Sequence, residues 1–272
     1  MAFCHLECRA NGVFVLIMNS ADDEHNYLTE EAIKELSEAL KKVRDNPKAE
    51  GLVTTCKAGT FCAGLNYDHH AESEEQAENL AKRLAKVIRL LLELPVPTVA
   101  AVRGDATSLG FALALAHDHL FVWNHAVLGL PEARRGRRLP DYVPTLLRDK
   151  LSYPRLRKLL MLRSQTCTGG QLTHHWWSTH GSEGNRRTVL DKAIDLLFDV
   201  KVGDKGANLA KTRQMLCADT SAAVGITLEK TIPRPTAAEL ASHKAEEPFG
   251  TSGRRNEASR ERVNTMSDEM SP

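Results

Sequence analysis

Three short segments hold the residues whose types and order suit chemistry: TFCAGLN at 60–66, PTVAAVRGDATSLG at 97–110 and LPEARRGRRLP at 130–140. The first is a small-residue loop after a strand-like run. In the second, a short strand pattern ends in a tight turn and an apolar helical stretch begins at once. A strand-to-helix turn leaves backbone N–H groups without intrahelical partners, and the helix dipole behind them favours negative charge. Such donors can stabilise an oxyanion without any charged side chain. The third segment supplies a carboxylate, Glu132, in a Pro-Glu dipeptide. A carboxylate near an oxyanion site is suited to moving a proton next to a carbonyl.

The elements that must hold these segments follow from hydrophobic pattern. Residues 12–18 (GVFVLIM), 51–55 and 98–102 read as strands, as do 119–123 and 127–130. Thr29 predicts an N-cap, with Glu30 and Glu31 in the first turn and Ile33, Leu36, Leu40 and Val43 on one helical face. A helix over 74–94 is stopped by Pro95 and Pro97. Residues 109–117 (LGFALALAH) are apolar almost all round, as in a buried helix, which Asp118 ends. Beyond Pro140 the pattern reads as helices only. Thr168 and Gln171 form a capping-box signature, and helices are expected over 187–198 and 207–216. The polar stretch from Pro233 to Pro272 is expected to be a disordered tail. Alternating strands and helices followed by helices indicate an α/β fold with a helical C-terminal region. The expected division is a core domain at 1–165, a helical region at 166–232 and the tail at 233–272.

Composition bounds the rest. With 272 residues and 42% hydrophobic content, the chain can bury one large domain. A net charge of +1 argues against a general pull toward nucleic acid or anionic membrane. The mixed charges at 254–262 make a nucleic-acid arm a weak expectation. No apolar stretch is long enough for a membrane span, and MAFCHLECRANG lacks the apolar region of a secretory signal. The six scattered cysteines fit neither a zinc site nor a disulfide framework, which suits a reducing compartment. The ending Met270-Ser271-Pro272 is not a Ser-Lys-Leu-type peroxisomal address.

In order and spacing, the three segments resemble the crotonase (enoyl-CoA hydratase/isomerase) superfamily over residues 12–171. Leu115-Ala-His-Asp-His119 and Leu139-Pro-Asp-Tyr142 look most like plant-type Δ3,Δ2-enoyl-CoA isomerases. The resemblance implies a crotonase-like spiral of β-β-α units and assembly as a homotrimer or hexamer. It also implies an acyl-CoA substrate with no cofactor beyond that coenzyme A, no metal, and a peroxisomal or else cytoplasmic location. Carried over residue by residue, it makes the backbone N–H groups of Leu65 and Leu109 the oxyanion donors. Ala63, Gly64 and Gly110 become their substrate-binding neighbours, and Glu132 the carboxylate that carries a proton from C2 to C4. Hydratases have a second glutamate where this chain has Ala112, so a proton shift fits better than hydration. A hydratase, or a non-catalytic crotonase-fold scaffold that binds acyl-CoA or a protein, remains the alternative.

Each of these residues also has a plainer explanation. Glu132 could be an ion-paired surface residue, and Leu65 and Leu109 could be core. Core side chains are compatible with a main-chain role. Leu109 is bulkier than the glycine or alanine the resemblance leads one to expect. Arg134, Arg135, Arg137 and Arg138 replace the apolar residues of the isomerases. They fit a solvated loop, a site for a short or anionic acyl group, or contacts to coenzyme A phosphates. Their charge is expected to favour ionised Glu132. His69, His70, His174, His175 and His180 lack a completing carboxylate or cysteine at metal-ligand spacing, so solvated histidines are expected. Trp176, Trp177 and the surrounding 172–185 depart from the family pattern.

Overall fold

A computed structural model describes residues 2–9, 11–20, 24–57, 59–69, 71–173, 179–182, 185–199 and 206–228. The expected tail at 233–272 lies outside the described residues, as do His70, His174, His175, Trp176 and Trp177.

The chain winds in repeating turns. The first has β1 (Cys4–Cys8), β2 (Val13–Met18) and α1 (Glu30–Arg44). The second has β3 (Gly51–Cys56), the loop at 59–66 and α2 (Glu74–Glu93). The third has β4 (Thr98–Val102), β5 (Ala106–Thr107) and α3 (Leu109–Leu115). The fourth has β6 (His119–Trp123), β7 (Val127–Gly129), a 3-10 turn (Ala133–Arg135) and α4 (Tyr142–Lys150). Then come α5 (Pro154–Arg163), β8 (Cys167–Thr168), α6 (Gly169–Thr173), β9 (Thr179–Ser182), α7 (Arg186–Asp199), α8 (Ala207–Leu216) and α9 (Ala218–Ala223).

Both strands of the first turn and the first strand of each later turn join a large sheet, ordered β1-β2-β3-β4-β6-β9 and parallel from β2 onward. The second strands of the third and fourth turns, with β8, form a small sheet, ordered β5-β7-β8. Cys62 forms an isolated parallel bridge with Ala106, which sets the 59–66 loop beside β5. This is the α/β spiral of β-β-α units that the sequence leads one to expect.

Side chains on the large sheet alternate between two cores. Phe14, Leu16, Leu52, Ala100 and Val102 face the main core with α1, α2 and α3. Val13, Val53, Val99, Ala101 and Phe121 face a second core with Val189, Ala193 and Leu197 of α7. Burial on both faces explains why these strands read as unbroken apolar runs. Helix ends follow the local signals. Thr29 caps α1 by accepting from the Ala32 N–H at 3.2 Å. Ser73 and Gln76 form a reciprocal capping box on α2, which ends just before Pro95. Thr168 and Gln171 hydrogen bond reciprocally, at 3.0 and 3.3 Å, at the start of α6.

Two short strands correct the expectation of helices only beyond Pro140. β8 pairs with β7 and β9 pairs with β6. Their sequences, CT and THGS, have no apolar alternation to announce them, and backbone bonding to a waiting sheet edge defines them. β1 likewise gives no apolar run, because as an edge strand it is only half-buried.

Candidate active site

The spiral brings the first two chemical segments into contact. Gly64 has φ +80°, and a Cβ there would lie 2.5 Å from Ser108 Cβ and 2.7 Å from the Leu109 nitrogen. A Cβ at Gly110 would lie 2.1 Å from the Cys62 carbonyl oxygen. Both positions therefore require glycine, one for its backbone angle and both for the close approach. The contact is laced by the Thr107 N–H donating to the Cys62 carbonyl at 3.0 Å. On the other side, the Ala63 N–H donates to the His25 carbonyl at 2.9 Å, and the Gly64 carbonyl accepts from Leu28 at 2.8 Å. Ser108, just before α3, holds φ 55° and ψ −139°, a backbone state that costs about 1–3 kcal/mol for a residue with a side chain. Its N–H donates to the Gly129 carbonyl at 2.9 Å, which helps hold the turn.

Leu65 and Leu109 are 2% and 1% exposed, belong to the main core and border the adjoining cleft. Their side chains are thus core residues. Among the described residues, neither main-chain N–H has an acceptor.

Glu132 immediately precedes the 3-10 turn. Its carbonyl accepts from the Arg135 and Arg137 N–H groups at 3.0 and 2.9 Å, so its own backbone anchors the arginine loop. The side chain is 0% exposed and is the sole fully buried carboxylate among the described residues. Neither carboxylate oxygen has a partner in hydrogen-bonding geometry. Burial pushes its pKa above the ordinary value, against the opposing pull of the Ser108 hydroxyl and the Arg135 charge. Arg135 does favour the ionised form, as the sequence leads one to expect of the nearby cations, but burial outweighs it. They lie on an exposed loop, whereas the carboxylate is sealed from water.

Two polar neighbours of Glu132 escaped sequence reasoning. Ser108 Oγ is buried without a partner in hydrogen-bonding geometry. Tyr67 is raised to about 12 by burial and by the Glu132 charge, with Ser108, Arg137 and Arg135 pulling the other way. Ser108 directly precedes Leu109 and Tyr67 follows Leu65 by two residues, but neither residue type nor spacing marks them as neighbours of Glu132. Tyr142 completes the surroundings. Burial, then Tyr67 and Glu132, raise its pKa, and its hydroxyl donates to the Ala81 carbonyl at 3.1 Å.

A cleft of about 610 Å³ opens beside Tyr67 and Tyr142, and Glu132 and Ser108 are not among the residues that line it. Leu65, Leu109, Tyr67 and Tyr142 line one part, and Ala77, Ala81 and Ala85 of α2 line another. Those alanines recur every four residues, so one face of the helix carries no bulk into the cleft. Ala112, in α3, is completely buried and brings no second carboxylate.

Comparison with known proteins agrees with this architecture. The family model for enoyl-CoA hydratase/isomerase matches residues 9–165. The chain is 31% identical over 173 residues to enoyl-CoA delta isomerase 2, peroxisomal, of Arabidopsis thaliana, spanning 61% of this chain and 71% of that protein. It is 28% identical over 221 residues to human methylglutaconyl-CoA hydratase, mitochondrial, spanning 78% of this chain and 64% of that protein. An apo enoyl-CoA isomerase from Mycobacterium tuberculosis superposes with a TM-score of 0.73 at 17% identity, covering 90% of this chain and 99% of that one. An enoyl-CoA hydratase from Mycobacterium marinum superposes with a TM-score of 0.72 at 18% identity, covering 82% and 94%. At these identities the superpositions establish the fold.

Proposed function

This chain belongs to the enoyl-CoA hydratase/isomerase family, and we propose that within it the protein is a Δ3,Δ2-enoyl-CoA isomerase. The observation that carries this is that Glu132 is the single fully buried carboxylate among the described residues, with alanine at position 112. Hydration needs one group to activate water and another to deliver a proton, whereas a proton shift needs one group that does both. The two Arabidopsis thaliana relatives named as delta isomerases support the same choice, at 31% and 29% identity.

In this mechanism the thioester oxygen of a 3-enoyl-CoA accepts from the Leu65 and Leu109 N–H groups, between the loops that Ala63, Gly64 and Gly110 shape. Glu132 removes a C2 proton. The electron pair enters the conjugated system and places negative charge on that oxygen, where each donor contributes about 3 kcal/mol. Protonated Glu132 then returns the proton to C4, and the double bond settles between C2 and C3. Burial makes Glu132 a stronger base than an exposed glutamate, as abstraction from carbon requires. The coenzyme A of the substrate is the only cofactor involved. The likeness to a relative named as peroxisomal supports a peroxisomal over a cytoplasmic location, and the family resemblance supports assembly as a homotrimer or hexamer.

Hydration is the second reading, favoured by the likeness to a human hydratase. Steady-state kinetics on trans-3-enoyl-CoAs and trans-2-enoyl-CoAs separates the two. Isomerisation is expected, and Glu132→Gln should lower kcat by about 10²–10⁴-fold with little change in KM. A folded Glu132→Gln enzyme with near-normal turnover would sink the mechanism. A wild-type protein that binds acyl-CoA without turning over any 3-enoyl-CoA would instead indicate a binding scaffold.

A further inference from the structure

The proton shift gives no task to the arginine-rich loop after Glu132. Arg138 is paired locally with Asp141 at 2.9 Å. Arg134 is not part of the cleft lining, and its backbone N–H donates to Ser164 Oγ at 2.9 Å. Arg135 and Arg137 are different. Both line the cleft, and their guanidinium carbons lie 5.7 and 5.3 Å from the centre of the Tyr67 ring. The ring is itself 8% exposed, so it is a fixed platform that orients two otherwise flexible side chains.

Charge around this pair is unbalanced. Among the described residues, neither guanidinium has a carboxylate within ion-pair distance, although Arg137 donates to the Glu72 carbonyl at 2.9 Å. Elsewhere in the lining, Glu78 is taken by Lys82 at 3.3 Å. Glu74 remains, but it sits in the first turn of α2, where the helix end already favours its charge. Apart from the buried Glu132, whose charge Arg135 favours without an ion-pair contact, no carboxylate among the described residues answers these two like charges on one ring.

We propose that Arg135 and Arg137, held over Tyr67, bind a carboxylate at the far end of the acyl group, so that the substrates are short dicarboxylic acyl thioesters. This rests on the reading that the cleft takes an acyl-CoA thioester. Position favours the acyl end over the coenzyme A phosphates. Tyr67 is two residues from Leu65 and Arg135 is three from Glu132, chain separations of at most roughly 7 and 11 Å. The pair thus stands near the thioester and the reacting carbons. The pyrophosphate of coenzyme A is separated from the sulfur by cysteamine, β-alanine and pantoate units. Planar guanidinium forks match a carboxylate in two-point hydrogen bonding, and one anion between them relieves their mutual repulsion. An alkyl chain would instead have to displace water from two unpaired cations.

Isothermal titration tests this without turnover, using glutaryl-CoA, pentanoyl-CoA of equal carbon count, and free coenzyme A. Glutaryl-CoA is expected to bind the wild-type protein roughly tenfold or more tightly than pentanoyl-CoA. The double substitution Arg135→Gln with Arg137→Gln should erase that preference, leaving pentanoyl-CoA and free coenzyme A within about twofold of wild type. Arg134→Gln should keep the preference. Equal binding of the two thioesters would overturn the carboxylate subsite alone. Equal weakening of free coenzyme A in the double variant would overturn it in favour of a phosphate contact. Failure of all three ligands to bind would overturn the underlying acyl-CoA reading together with it.

Discussion

At the scale of the residue, Glu132 carries an energetic conflict. A completely buried carboxylate with two unpartnered oxygens is held in its less favourable form whenever it is ionised. Burial raises its pKa, with the Ser108 hydroxyl as the first opposing influence. The sign follows from the base being the ionised form. Activity is present above the folded-state pKa and disappears as pH falls through it. The acid limb of kcat/KM is therefore expected above 4.5, the ordinary glutamate value. Ser108→Ala, which removes the opposing pull, should move that limb higher. The same shift acts on stability. A carboxylate whose folded pKa exceeds its unfolded value favours the native state at low pH and loses that advantage as pH rises through the folded pKa. Glu132→Gln should accordingly melt above wild type at neutral pH. An acid limb that moves down in Ser108→Ala, or a less stable Glu132→Gln, would contradict this account. Glu132 itself is visible in the sequence through the Pro-Glu dipeptide. The hydroxyls of Ser108 and Tyr67 are not, because nothing in residue type or spacing says that two separate turns converge on one carboxylate.

At the scale of the element, the site depends on two strand-to-helix passages pressed together. The passages are legible, since each is a β-branched run, a small-residue turn and an amphipathic or apolar helix. Their contact is written only in the glycines. Gly64 and Gly110 are needed because another backbone stands where a side chain would go. Gly64→Ala puts a methyl 2.7 Å from the Leu109 nitrogen in a backbone conformation that disfavours alanine. The loops must part to admit it. A displacement of about 1 Å between positioning groups can cost about a hundredfold in rate. Turnover is thus expected to fall by that order, with a melting temperature only several degrees lower. Near-normal kcat in a folded Gly64→Ala protein would show that the N–H groups of Leu65 and Leu109 need not sit this close. Where elements lack any pattern of their own, as in β8 and β9, the sequence is silent, because their partners define them.

At the scale of the whole molecule, long-range ties and exposed surface matter more than local pattern. Asp118 reads as a helix end, yet its partner Arg213 is 95 residues away on α8. Arg213, 3% exposed, donates to both Asp118 oxygens at 2.6 and 2.7 Å and to the Leu94 and Val96 carbonyls at 2.6 and 2.8 Å. Burial alone would raise the Asp118 pKa, but Arg213 outweighs it and brings it to about 2. This ion pair binds a C-terminal helix to the passage from α2 into β4. The same C-terminal elements leave Leu162, Phe198, Met215 and Leu216 exposed, at 73%, 50%, 52% and 71%. Covering apolar surface is worth about 25 cal/mol per Å², so several such side chains together favour association. A trimer or hexamer is expected by light scattering at micromolar concentration. Leu216→Lys with Leu162→Lys should shift the population toward monomer while the single-chain fold persists, because both residues already face solvent in one chain. A wild-type protein that is monomeric throughout this range would remove the assembly from the account. A double variant that keeps the same mass would show that assembly uses another surface.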